Sequence, residues 1–160
     1  MNSKDLPYRP CTGVMLLNAD NKVFVGQRID TTVEAWQMPQ GGIDDGEAPE
    51  ETAFRELEEE IGTNNAKVIT RTHDWLYYDL PDELVGKIWG GKYRGQKQVW
   101  FLMRFLGDDT EINLETKHPE FNAWKWLEIK RLPELIVPFK RPIYEALVKE
   151  FSPHIGPNAT

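Results

Sequence analysis

Apolar residues fall in short runs along most of the chain, and the runs change period once. Residues 12–17 and 23–27 are two apolar stretches too short for helices. Asn18, Ala19, Asp20 and Asn21 lie between them, and Asn and Asp favour tight turns, so the two stretches predict a hairpin. Residues 67–73 and 75–80 predict two further strands, and residues 98–106 a longer one rich in aromatic and aliphatic side chains. Residues 121–127 alternate, with Trp124 and Trp126 on one face and Ala123 and Lys125 on the other. A helix is predicted from about residue 139 to residue 151, with Pro142 confined to its first turn. No repeat, low-complexity tract or linker interrupts the pattern.

The period changes at residues 41–63, which read GGIDDGEAPEETAFRELEEEIGT. Asp44, Asp45 and Gly46 signal a turn, Pro49 suits a first helical turn, and Gly62 suits a C-terminal cap. Each helical residue advances by roughly 100°. Ala53, Phe54, Leu57 and Ile61 then share a core-facing stripe. Glu56, Glu59 and Glu60 share a neighbouring arc, while Glu58 points to solvent. A run of charge is most often a solvated helix face. Here the carboxylates lie beside the core stripe, where a lower dielectric strengthens their repulsion. Arg55 is too far round the helix to neutralise all three, so the arc calls for something positive. Hard divalent cations take carboxylate, carbonyl and water oxygens and share them with phosphates. Gly41 and Gly42 let the backbone approach such a ligand closely.

Composition narrows the setting. The 160 residues have the size of one domain with a sizeable core. Cys11 is alone, so no internal disulfide forms, and it reads as a strand residue rather than a nucleophile. The first ten residues carry no apolar signal segment and the early apolar run at residues 14–17 is too short to span a bilayer, which predicts a cytoplasmic protein without a membrane partner. A net charge of −7 argues against coating duplex DNA through bulk electrostatics. It permits a grip on one phosphorylated end, because the cations cluster: Lys87, Lys92, Arg94 and Lys97, then Lys130, Arg131, Lys140 and Arg141.

The 41–63 segment resembles the signature of the Nudix hydrolases. Gly41, Glu47, Arg55, Glu56, Leu57, Glu59, Glu60 and Gly62 fill it in register, and Thr63 departs at the last, normally aliphatic, packing position. The blocks YRPCTGVMLLN, WQMPQGGIDDGE, RGQKQVWFL, HPEFNAWKW and PFKRPIYEALVKEF look like the branch of bacterial RNA pyrophosphohydrolases and asymmetric dinucleoside-polyphosphate hydrolases. The resemblance implies one Nudix domain over residues 1–160, with flexible ends at 1–6 and 153–160. It also implies an α/β/α sandwich around a mixed sheet.

It further implies roles. Glu56, Glu59, Glu60 and Glu120 would be catalytic metal ligands for Mg²⁺, with Mn²⁺ as a substitute, and the carbonyl of Gly41 would add an oxygen. Glu56 and Glu120 both stand as general base. Arg55 is counted with the catalytic set, acting by pairing with Glu47 to orient the glutamates; Glu47 and Gly62 are structural. Arg9, Arg28, Lys97 and Gln98 would contact phosphate or nucleotide. Phe139, beside Lys140, would sandwich a base against Arg28, or else would pack at the start of the last helix. Tyr77 is a weaker stacking candidate. The tryptophans at 36, 75, 100, 124 and 126 read as core or cleft wall. His73, His118 and His154 lack metal-ligand spacing and read as ordinary surface or loop residues.

The implied activity is Mg²⁺-dependent hydrolysis of a phosphoanhydride, converting an RNA 5′ triphosphate to a monophosphate. The alternative is asymmetric hydrolysis of diadenosine tetraphosphate and its relatives. A more distant alternative is a non-catalytic nucleotide-binding module, which has no need for the three glutamates together. A protein activator is left open.

Overall fold

A computed structural model describes residues 5–29, 35–117 and 119–155. Its centre is one sheet of eight strands: β1 (Tyr8–Leu17), β2 (Val23–Arg28), β3 (Trp36–Gln37), β4 (Gln40–Gly42), β5 (Ala66–Arg71), β6 (Leu76–Asp79), β7 (Gly95–Phe105) and β8 (Phe121–Leu127). The two longest strands, β1 and β7, run parallel along ten paired positions, and the other pairings are antiparallel. The sheet is therefore mixed, as expected.

Strand alternation separates two cores. Met15 and Leu17 of β1, with Trp100 and Leu102 of β7, face one way; Val14 and Leu16, with Val99, Phe101 and Met103, face the other. On the first face lie a one-turn helix α2 (Leu132–Leu135) and the last helix α3 (Arg141–Ile155), through Leu132, Ile143, Tyr144, Leu147 and Phe151. On the second lies α1 (Pro49–Ile61), through Ala53, Leu57 and Ile61. This is the three-layer α/β/α arrangement. Trp124 and Trp126 join the α1 side, with Trp124 stacked on Phe24 at 5.6 Å between ring centres.

The hairpin turn works as its residues dictate. Asn18 Oδ1 accepts from the N–H groups of Asp20 and Lys22, and Asn21 takes the left-handed conformation with φ of 61°. The structure adds elements without a strong pattern of their own, namely β3, β4 and α2. They are too short to show a period. The expected strands at 67–73 and 75–80 are trimmed to β5 and β6. Helix α3 starts at Arg141, so Pro142 does lie in its first turn, and it runs past the expected end to Ile155. Pro153 sits inside that last turn. Among the described residues no helix is long and apolar enough to cross a membrane. The ends expected to be flexible fall largely outside the described residues.

Candidate active site

Helix α1 is held against the glycine turn by one guanidinium. Arg55 donates through Nε and Nη2 to the two oxygens of Glu47, at 2.7 and 2.9 Å, in a fork matched to a carboxylate. Its Nη2 also donates to the Gly42 carbonyl at 3.0 Å, and its Nη1 to Glu56 at 2.7 Å and Glu59 at 3.2 Å. Glu47 in turn accepts from the Thr52 hydroxyl and the Asp44 N–H. Arg55 therefore reaches two of the three helix carboxylates and ties both to the turn. Hydrogen bonds from Arg55 and Thr52 hold the Glu47 carboxyl down at about 2.

The third carboxylate, Glu60, is buried and accepts from the Gln40 N–H at 3.0 Å. Burial drives its pKa well up, and Glu56 and Glu120 add to that. Burial likewise raises Glu56 to about 7; Arg55 opposes the shift, and Glu59 and Glu120 reinforce it. Glu59 is the exposed member, with 56% of its side chain accessible. Gly41 lies close under Glu56: a Cβ there would meet the Glu56 carboxylate and displace it. Gly62 caps α1 with φ of 81°, its N–H donating to the Glu58 carbonyl.

Two adjoining cavities meet at these carboxylates. One, of about 310 Å³, is bounded by Glu56, Glu59, Glu60 and Glu120 with Thr116 and Lys117. The other, of about 280 Å³, is lined by Glu56, Glu60 and Glu120 together with Arg9, Arg28, Gln96, Lys140, Gln40 and Gly41. Glu120 comes from outside α1, immediately before β8. The Ile29 N–H donates to its carbonyl where β2 pairs with β8, and its carboxylate lies 3.8 Å from Arg28.

Of the expected substrate contacts, Arg9, Arg28 and Lys140 reach the second cavity. Three do not. Lys97 sits on the α1 face of β7, opposite to Gln96 and Gln98, with its ammonium 4.8 Å from the Trp75 ring centre. Strand alternation alone puts it on the wrong side of the sheet. Gln98 is buried behind the cavity. Its carbonyl accepts from the Trp100 indole at 2.8 Å and its amide donates to Gln96 and Gln40 at 2.6 and 3.1 Å. Gln98 thus positions two amides that do line the cavity, and Gln96 and Gln40 are contacts the sequence reading missed. The signal was present in the spacing of two between Gln96 and Gln98. Phe139 does not line the cavity and packs half-buried beside Tyr78, at 5.7 Å, at the foot of α3, in keeping with the second of the two places expected for it. Trp75 is exposed, unlike the core or cleft-wall role expected of it, whereas Trp100 is fully buried. His73 and His154 are exposed, and His118 lies outside the described residues. Cys11 is buried in β1, and burial pushes its thiol up to about 11, which suits packing and not nucleophilic attack.

The profile of the NUDIX domain matches residues 7–147. The chain belongs to the NUDIX family. It is 59% identical to the RNA pyrophosphohydrolase of Sphingopyxis alaskensis over 150 residues, which is 92% of this chain and 95% of that protein. It is 57% identical to the RNA pyrophosphohydrolase of Rhodospirillum rubrum, over 95% of this chain and 92% of that protein. Among solved structures, the Escherichia coli dihydroneopterin triphosphate pyrophosphohydrolase superposes with a TM-score of 0.66 at 20% identity, over 90% of this chain and 99% of that one. The Caenorhabditis elegans Ap4A hydrolase complex also gives 0.66, at 19% identity, over 91% of this chain and 96% of that one. At that identity these two establish the shared NUDIX fold.

NUDIX hydrolases use divalent cations. The donors here fit such an ion in kind: buried carboxylates that repel one another, beside a backbone with no Cβ in the way. Among the described residues no three acidic side chains are already gathered around one point. Glu56 and Glu59 are held by Arg55 and Glu60 by the Gln40 N–H, with Glu59 the most exposed of the three.

Proposed function

We propose that this chain is a Mg²⁺-dependent pyrophosphohydrolase that converts the 5′ triphosphate end of RNA to a 5′ monophosphate, releasing pyrophosphate. One observation carries the reading: the carboxylates Glu56, Glu60 and Glu120 line a single cavity together with the cations Arg9, Arg28 and Lys140 and the amides Gln40 and Gln96. Polyphosphate chemistry needs both, because the anion must be gripped and also neutralised where a bond breaks. Support also comes from curated relatives named RNA pyrophosphohydrolase at 54–59% identity across nearly the whole chain.

The residues take the following parts. Arg9, Arg28 and Lys140 bind and orient the phosphates, Arg through paired donors and Lys as a point charge. Gln96 and Gln40, fixed by Gln98, supply neutral contacts. Glu56, Glu59, Glu60 and Glu120 hold the cation, with the Gly41 carbonyl as a further oxygen. Mg²⁺ so held offsets the developing phosphate charge and lowers the pKa of water. Glu56 takes the proton as water attacks phosphorus and the anhydride bond breaks; Glu120 is the other carboxylate placed to do so. Arg55 stays outside the reacting groups and sets their positions through Glu47. The reading treats residues 1–160 as one catalytic unit of the cytoplasm.

Hydrolysis of triphosphorylated RNA in heavy-oxygen water tests this reading. The expected products are monophosphorylated RNA and pyrophosphate, with label on one of them marking the phosphorus attacked. Diadenosine tetraphosphate run beside it decides the substrate class. A higher kcat/KM on the dinucleotide than on RNA would move the assignment to dinucleoside polyphosphates. Absence of Mg²⁺-dependent release from either would leave a binding module.

A further inference from the structure

Outside the cavity, the α1 face of β6 and β7 carries a stripe of alternating aromatic and cationic side chains. The register places them in a row. Tyr8 of β1 pairs with Gly95, Tyr77 with Lys97, and Arg71 with Phe101. The contacts follow the register. Arg94 lies 4.8 Å from the Tyr8 ring, Tyr8 meets Tyr77 edge-on at 5.0 Å, Lys97 lies 4.8 Å from the Trp75 ring, and Arg71 lies 5.3 Å from Phe101. Trp75 and Tyr77 are 36% and 54% exposed, among the largest exposed hydrophobic side chains described. Phe101 is itself buried in the apolar core beneath α1, so the exposed aromatic part of the stripe is Tyr77 and Trp75 with Lys97, at the edge of that core, and Arg71 covers Phe101. From Gly95 to Phe101 it spans about 20 Å at roughly 3.3 Å per strand residue.

The stripe is also close to the glycine turn. Lys97 pairs with Pro10 of β1, and the Pro10 carbonyl accepts from Ile43, immediately after β4. One strand separates the two, about 10 Å at the usual spacing. Cations on aromatic faces suit nucleobases, which stack on any π-face while the phosphates meet the charges. A protein partner would favour a patch depleted of charge at its centre. Arg94 is paired with Asp79 at 3.1 Å, so Arg71 and Lys97 supply the positive charge of this face in a chain of net charge −7.

We propose that this stripe is a second RNA-binding surface, which holds single-stranded nucleotides downstream of the 5′ end while the polyphosphate occupies the cavity. It rests on RNA being the substrate. It makes RNA longer than the cavity's own occupant a better substrate through KM, with kcat unchanged.

Two measurements test it. The first is fluorescence anisotropy at low salt with a single-stranded oligonucleotide bearing a 5′ hydroxyl, which leaves the cavity without its polyphosphate. Lys97→Glu and Trp75→Ala are each expected to weaken binding about fivefold or more, the low end of base–aromatic stacking. The second compares kcat/KM on a triphosphorylated dinucleotide and on a triphosphorylated oligonucleotide long enough to cross the stripe. Trp75→Ala/Arg71→Gln is expected to lower the second and spare the first. Equal effects on both substrates, or unchanged anisotropy in folded variants, would overturn the stripe even with the hydrolase activity intact. Loss of self-association instead of RNA binding would overturn it in favour of a protein contact. Failure of the wild type on every triphosphorylated RNA would strike the substrate assignment itself.

Discussion

The two walls of the cavity are built in opposite ways. The acidic wall is almost local: Glu56, Glu59 and Glu60 lie on one helix, with Glu120 added from the residue before β8, and the Arg55 guanidinium holds Glu56 and Glu59. The cationic wall is assembled at long range, with Arg9 from β1, Arg28 from β2, Gln96 from β7 and Lys140 from the entry to α3. Sheet pairing brings the first three together, and the packing of α3 on the sheet adds Lys140. The local wall resists being read as a solvated face because Glu60 is buried with a backbone N–H as its partner. The dispersed wall has no comparable mark in the sequence. On the proposed reading, chemistry resides in the first, and grip and selectivity in the second.

That division predicts different kinetic failures. Glu56→Gln removes a charge that is buried beside Glu60 and Glu120, and it removes the proton acceptor. Turnover on triphosphorylated RNA should fall by about 10²–10⁴-fold, the usual worth of a positioned acid or base. The metal-free protein should not lose thermal stability, because a repelling carboxylate has been neutralised. A kcat within tenfold of wild type would pass the base to Glu120 and break the assignment on this wall.

On the opposite wall, Arg9→Ala should act mainly on KM. Removing a hydrogen-bond donor to a charged group costs about 1.5–3 kcal/mol, which is an order of magnitude or more in affinity. If KM stays level while kcat collapses, Arg9 contacts the transition state alone and the contrast between the walls dissolves.

The difference also explains what could be read from the chain. Helix α1 and its caps were legible because Pro49, the Leu57 and Ile61 stripe and Gly62 are local signals. The long strands β1, β2 and β7 were legible as short apolar runs and β8 by its two-residue alternation, which are local signals as well. Which face each strand presents to which layer was not, and Lys97 shows the cost. A basic residue in a recognisable block was placed beside Gln98, although adjacent strand residues point to opposite faces. Gln98 failed for another reason. Its amide is occupied by Trp100, Gln96 and Gln40, and such a relay exists only once three strands have paired. Phe139 illustrates a third limit, since a half-buried ring beside Tyr78 and a ring facing a ligand carry the same local pattern.

The smallest expected effect lies in the bracing of the acidic wall. Glu47 titrates at about 2 in the folded chain, below the ordinary value of 4.5, because Arg55 and Thr52 hydrogen-bond to its ionised form. A depressed carboxyl stabilises the folded state above the unfolded value, and that contribution fades as pH falls from about 4.5 toward 2. Glu47→Gln keeps the shape and removes the charge. Its melting temperature should lie below that of wild type by a constant amount above pH 4.5 and should converge on it as the solution is acidified toward pH 2. The same variant should lower kcat more than KM, because Arg55 would still meet Glu56 and Glu59 but lose the anchor that fixes its plane. Melting curves that differ by the same interval at every pH would show that Glu47 acts through packing, and Arg55 would then hold its position without the fork.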